Sequence, residues 1–155
     1  MPPVAAPRVS VRLSRVTRAV ALVLLVVLTL AGTPVAAEHE VYYRYVVLGF
    51  VKDARGHALS GRELELIRDK TGFSYLAATD EQGFFLIVAR LGDESAGEAL
   101  TLKVGSAVTR LRASFDPANH RDDRGTRVDL EGAKFVERSA QFRSTLVDAV
   151  GTTQR

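Results

Sequence analysis

From Tyr43 onward, apolar and polar residues change places with a period of two, the spacing of strands rather than helices. Tyr43 to Lys52 is rich in aromatic and β-branched residues and reads as a first strand. Arg62 to Leu66 alternates acids with leucines, Phe73 to Thr79 and Phe84 to Ala89 follow, and Ala99 to Val104 alternates again. Ala107 to Phe115 places Thr109, Leu111 and Ala113 on one face and Arg110 and Arg112 on the other, and Thr126 to Leu130 turns Val128 and Leu130 inward. Seven short strands in about 90 residues are the mark of a β-sandwich.

The turns point the same way. Four Asp-x-x-Gly units, at Asp53–Gly56, Asp69–Gly72, Asp80–Gly83 and Asp122–Gly125, sit between the strand-like runs. An Asp that opens a turn can accept from the amide two residues on, and a Gly that closes it tolerates the left-handed conformation. Calcium loops need ligands at alternating positions and a distal Glu, which none of the four has.

After Lys134 the period changes. Phe135, Ser139, Phe142, Leu146 and Val150 fall on one stripe of a helix, with Glu137, Arg138, Arg143 and Asp148 on other faces and Gly151 near its end. The pattern predicts an amphipathic C-terminal helix of about four turns.

Two strands break the rule that a sandwich wets its outer faces. In the first, Val47, Gly49 and Val51 form one face and Val46, Leu48 and Phe50 the other, and the carboxypeptidase regulatory-like pattern that these residues resemble turns the first set inward. In the fourth, Phe85 and Ile87 point in, which leaves Phe84, Leu86 and Val88 outside. If the strands are neighbours, these six residues form an apolar patch, and they are the candidate partner contacts. The C-terminal helix folding back over the patch is the preferred reading, and a second chain covering it is the other.

The N-terminal segment carries Arg8, Arg12, Arg15 and Arg18 without an acid, then 14 uncharged residues from Ala19 to Gly32, then Gly32-Thr33-Pro34-Val35-Ala36-Ala37. This is the layout of an export signal, cleaved after Ala37. The 19 uncharged residues from Ala19 to Ala37 would serve as an anchor if left uncut. The expected organisation is a signal peptide over 1–37, a β-sandwich over 38–133 and a helix with its tail over 134–155, in a periplasmic or extracellular protein whose membrane contact is the uncleaved signal alone.

Composition changes the picture in two places. The chain has 155 residues and no Cys, which excludes disulfides, thiolate metal sites, Cys nucleophiles and lipid attachment at a Cys. Its formal charge of +3 comes from 21 basic and 18 acidic residues. Four of the basic residues lie in the leader, so the exported part holds 17 against 18, and no nucleic-acid partner is expected.

Val47-Leu48-Gly49-Phe50-Val51-Lys52-Asp53-Ala54-Arg55-Gly56-His57-Ala58-Leu59-Ser60-Gly61, then Thr71-Gly72, then Thr79-Asp80-Glu81-Gln82-Gly83-Phe84-Phe85-Leu86-Ile87 resembles the carboxypeptidase regulatory-like domains. Their pattern runs V-x-G-x-V-x-D-x-x-G-x-x-L-x-G, then T-G, then T-D-x-x-G-x-F-x-F. Ala58 stands for the family's Pro and Ile87 for its second Phe. The resemblance covers Val47 to about Val104 well, reaches Leu130 more loosely and leaves out Phe135 to Arg155. It implies an all-β, seven-stranded Greek-key transthyretin-like sandwich and a noncatalytic accessory module that packs against a protein partner. Hydroxyisourate hydrolases share this fold and end in Tyr-Arg-Gly-Ser, where this chain ends Thr-Thr-Gln-Arg. Intradiol dioxygenases have a related sandwich and hold iron with two Tyr and two His. No spacing among Tyr42, Tyr43, Tyr45, Tyr75, His39, His57 and His120 resembles that site.

No catalytic residue, cofactor or metal site is therefore expected. His57 and His120 read as surface residues, and the polar run Asp116 to Gly125 reads as a solvated connection. Cleavage after Ala36 would instead free Ala37-Glu38-His39, a Cu²⁺ or Ni²⁺ motif, but Pro34 then falls in a disfavoured subsite. The alternative function is the binding of a small ligand, carbohydrate or metal by loop residues and Tyr42, Tyr43 and Tyr45.

Overall fold

The structure is a computed structural model and describes residues 41–153. The expected signal segment, its cleavage point and His39 lie outside the described residues. No helix among the described residues is long and apolar enough to cross a membrane.

The chain is mostly β, with two four-stranded sheets and one C-terminal helix. The strands are β1 (Tyr43–Lys52), β2 (Glu63–Arg68), β3 (Ser74–Ala78), β4 (Phe84–Leu91), β5 (Ala99–Val104), β6 (Ala107–Arg112), β7 (Arg124–Glu131) and β8 (Lys134–Glu137). The helix α1 spans Phe142–Thr153, after a 3₁₀ turn at Ser139–Gln141. One sheet has the order β4-β1-β7-β8 and the other β3-β2-β5-β6. β1 runs antiparallel to β4 and parallel to β7.

The core lies between the sheets. Tyr45, Val47, Val51, Phe85, Ile87, Val128 and Leu130 come from the first sheet, and Leu64, Leu66, Leu100, Leu102 and Leu111 from the second. These are the inward positions that the two-residue period assigns. Three of the Asp-x-x-Gly units form turns, with Gly56, Gly72 and Gly83 at positive φ. Asp53 Oδ1 accepts from the amides of Arg55 and His57, and Asp80 Oδ1 from those of Gln82 and Phe84.

Four expectations need correction. The described residues form eight strands, because Lys134–Glu137 is a strand and not the first turn of a helix. Gly132, at φ 63°, closes a tight turn that lays β8 against β7 with Phe135 opposite Leu130. Phe135 therefore packs against the inter-sheet core, and the sandwich runs past residue 133. Helix α1 is accordingly shorter than four turns from Phe135 would make it. The fourth Asp-x-x-Gly unit is not a turn: Gly125 lies inside β7 and is absent from the positive-φ positions. A Cβ there would strike the carbonyl of Val46 and the ring of Phe142, so the glycine makes room for the helix.

Gly49 meets a related demand. A Cβ at that position would collide with the carbonyl of Val128 on β7. The β1–β7 register skips Gly49 and Phe50, and the Phe50 amide donates to Asp129 Oδ1 at 3.0 Å instead of to a ladder carbonyl. Gly49→Ala should lower unfolding free energy by about 3 kcal/mol, because backbone must shift to admit the methyl. Gly151→Ala in α1 meets no atom within 4 Å and should stay within about 1 kcal/mol of the parent, on the stabilising side. Urea denaturation of the two variants checks both values.

Candidate functional site

The six outward apolar residues of β1 and β4 come together as three directly opposed pairs: Val46 with Val88, Leu48 with Leu86 and Phe50 with Phe84. Helix α1 lies on this patch. Phe142 packs against Val46 and Leu48, and Phe84, Leu86 and Leu146 complete the cluster. Val46 and Leu48 are thus buried by the chain's own helix, which removes them from the candidate partner contacts. Phe50, Phe84 and Leu86 remain half-buried, and Val88 is 40% exposed. The helix stripe divides, with Phe142 and Leu146 on the sheet and Val150 exposed.

The helix is tied down by a polar hub that the alternation pattern does not reveal. Asp129, buried on β7, accepts from Arg127 Nε at 3.1 Å and Nη2 at 2.8 Å, from the Phe50 amide, and from Arg138. Arg127 Nη1 then donates to Thr145 Oγ1 on α1 at 3.0 Å, and its guanidinium lies 5.1 Å from the centre of the Phe50 ring. Arg138 also reaches Glu131. One carboxylate therefore joins β1, β7, the segment after β8 and, through Arg127, the helix. Charge-assisted bonds of this kind are short and strong, and they satisfy a group that burial alone would penalise.

Beside the C-terminal half of α1 the cover ends in a groove of about 620 Å³. Phe50 and Phe84, with ring centres 5.3 Å apart, form part of its lining with Arg127 and Thr145, and Asp80 and Asp148 stand at its rim. Its lining sets the two rings and Ala149 among Asp80, Gln82, Arg127, Thr145 and Asp148.

At the other end of β1 the tyrosines do not act as a cluster. Tyr45 is buried in the core, donates to the carbonyl of Arg112 at 3.3 Å, and has its pKa pushed up to about 12 by burial. It cannot meet a ligand. Tyr42 is exposed. Tyr43 stacks on His120 with ring centres 4.5 Å apart. Arg124, nearly fully buried, sits between the rings of Tyr43 and Phe115, 4.5 and 4.4 Å from their centres. It donates to the carbonyls of Pro117 and Asn119 and lies 2.8 Å from Asp93 Oδ1. His120 Nε2 is 2.8 Å from Asp93 Oδ2. Partial burial works to raise the Asp93 pKa, but Arg124 and His120 outweigh it and hold the carboxyl below its usual range. The expected solvated connection is therefore a fastened loop.

Beside that loop lies a cleft of about 420 Å³ lined by Phe115, Asp116, Asn119, Asp123, Arg124 and Arg143, among others. Arg143 on α1 pairs with Asp122 at 2.7 Å and holds that carboxyl below its usual range. Among the described residues no group of three or more His, Asp or Glu converges as metal ligands.

Two predictions follow the packing and the titration. Phe142→Ala should cost about 3–5 kcal/mol and raise binding of an apolar dye, read by chemical denaturation and fluorescence. Tyr45 favours its neutral form in the fold, so its contribution is complete below pH 10 and lost as pH rises toward about 12. Tyr45→Phe should flatten the fall in stability over that window, measured by urea unfolding at stepped pH.

No family model matches the chain, and no curated protein sequence does. Among solved structures, the A72G variant of catechol 1,2-dioxygenase from Acinetobacter radioresistens is 12% identical, with a TM-score of 0.39 over 61% of this chain and 45% of that one. The dioxygenase domain of a dioxygenase carbohydrate-binding protein fusion from Streptomyces sp. SirexAA-E is 17% identical, with a TM-score of 0.38 over 66% and 80%. The 3-chlorocatechol 1,2-dioxygenase of Rhodococcus opacus 1CP is 14% identical, with a TM-score of 0.37 over 64% and 58%. The chain thus spans less than half the length of the Acinetobacter protein. These neighbours are enzymes, and on that finding the expectation that the chain is not an enzyme is withdrawn. A likeness this distant assigns no activity. The two-Tyr, two-His iron set is not assembled among the described residues: Tyr45 is bonded in the core, Tyr75 bonds Arg90, and His57 pairs with Asp53 in the β1–β2 turn.

Proposed function

We propose that this chain is an exported interaction module of the carboxypeptidase regulatory-like, transthyretin-like Greek-key type, and that it receives a protein partner in the groove beside α1. The residue pattern from Val47 to Ile87 supports the family reading, and the passage of the chain from β3 to β4 to β5, sheet to sheet and back, supports the Greek key. Export to the periplasm or beyond rests on the Arg-rich, apolar leader.

The observation that carries the reading is the incomplete cover of the β1–β4 patch. The helix closes over Val46 and Leu48 but leaves Phe50 and Phe84 half-buried, as paired rings in a 620 Å³ groove. Aromatic anchors in a pocket with a charged rim suit a docking site. A photo-reactive residue in place of Gln82, on the groove wall, should give one cross-linked adduct of defined mass in the producing cell. Adding Phe84→Ser should abolish the adduct. If no adduct forms, or Phe84→Ser leaves it unchanged, the groove is not the docking site.

The cleft lined by Phe115, Asp123 and Arg143 favours a second reading, the binding of a small polar ligand such as a saccharide. Thermal-shift titration with a panel of mono- and disaccharides tests it. A sugar that raises the melting temperature of the parent but not of Asp123→Ala supports that reading, and no shift with any sugar removes it.

A further inference from the structure

The two sheets present four edges, and three of them are guarded. β8 is four residues long and begins with Lys134 and ends with Glu137. β6 carries Arg110 and Arg112. On β4 the hydroxyl of Tyr75 reaches across, accepts from the Arg90 amide at 3.1 Å and meets the Arg90 carbonyl at 3.4 Å, capping that edge. Short length, charge and covering groups are the devices by which sheet proteins block unwanted strand pairing.

The β3 edge, five residues long, carries no charge and no covering group among the described residues. Its residues, Ser74-Tyr75-Leu76-Ala77-Ala78, are uncharged and contain no Gly or Pro. Among the described residues β3 pairs with β2 alone. The Arg68 amide donates to Phe73 and the Thr79 amide to Arg62, so the odd-numbered residues bond β2. By the alternation of an antiparallel ladder, the amides and carbonyls of Ser74, Leu76 and Ala78 line the open side. Leu76 is 78% and Phe73 60% exposed, a large apolar display for a solvated edge.

We propose that β3 pairs antiparallel with β3 of a second copy of this chain, about a two-fold axis at Leu76. The open edge is self-complementary. Leu76 faces Leu76, and Ser74 faces Ala78 in both directions, which gives three pairs that exchange about six backbone hydrogen bonds. The flanks agree in charge. Lys70 precedes the strand and Glu81 follows it, both exposed. An antiparallel copy sets Lys70 of each protomer beside Glu81 of the other, whereas a parallel copy would set like charges together. Such isologous pairing is closed, so it stops at the dimer. It joins the two β3-β2-β5-β6 sheets into one of eight strands.

Analytical ultracentrifugation of the full chain, purified as its host delivers it, should show a concentration-dependent dimer that weakens with salt. Leu76→Lys touches no buried contact and should leave the circular dichroism unchanged while yielding monomer. Lys70→Glu should raise the dimer dissociation constant about fivefold, and adding Glu81→Lys should restore it. The chain has no Cys, so Leu76→Cys places one thiol at the axis and should form a disulfide dimer readily under mild oxidation. Val108→Cys on β6 is the control and should cross-link slowly. A monomer at every concentration, a dimer that survives Leu76→Lys, or equal cross-linking at the two positions overturns the proposal.

Discussion

A strand that is apolar on both faces has to be covered on both, and β1 is such a strand. Val47 and Val51 face the second sheet, while Val46 and Leu48 face away from it. One cover is the inter-sheet core. The other is α1, which the chain brings back over β1 and β4 once β8 has been laid against β7. Most features of the first sheet serve this double burial. Gly125 leaves room for Phe142, and Gly49 lets β7 approach closely. The position of the remaining groove is also set by it, because the helix can shield only the length of patch that Phe142 and Leu146 reach.

Apolar contact alone gives the helix adhesion without register, and the Asp129 hub supplies the register. Arg127 is held by two bonds to Asp129, which aims its third donor at Thr145. A buried ion pair adds little net stability over an apolar replacement, but losing one member leaves an uncompensated charge. The arrangement therefore specifies where the helix sits more than it strengthens the fold. The same Arg127 lies over Phe50, so the residue that seats the helix also shapes the groove.

The period of two was enough to read β1 to β7 from the residues; it separates Phe85 and Ile87 from Phe84 and Leu86, and the family resemblance sets the first pair inside. It failed where one segment satisfies two periods. Phe135 lies on a helical stripe with Phe142 and also alternates as Lys-Phe-Val-Glu; the deciding signal was Gly132, which permits the tight turn. Gly125 looked like a turn residue because Asp122 stands three positions before it, yet its role is steric and depends on a helix remote in sequence. Asp129 and Arg124 were invisible for a like reason: an acid or an arginine in a strand reads as solvated until its partners on other elements are known. Parity places Tyr43 and Tyr45 on one face without showing that the sandwich closes over the second.

Helix α1 is the cover of the β1–β4 face. The most direct test removes residues 139–155, which keeps β8 and Arg138 in place. Sedimentation, dye fluorescence and urea unfolding of the shortened chain should show a less stable sandwich that binds the dye and self-associates through the bared Val46, Leu48 and Leu86. A shortened chain as stable as its parent, with unchanged association and no dye binding, would contradict it.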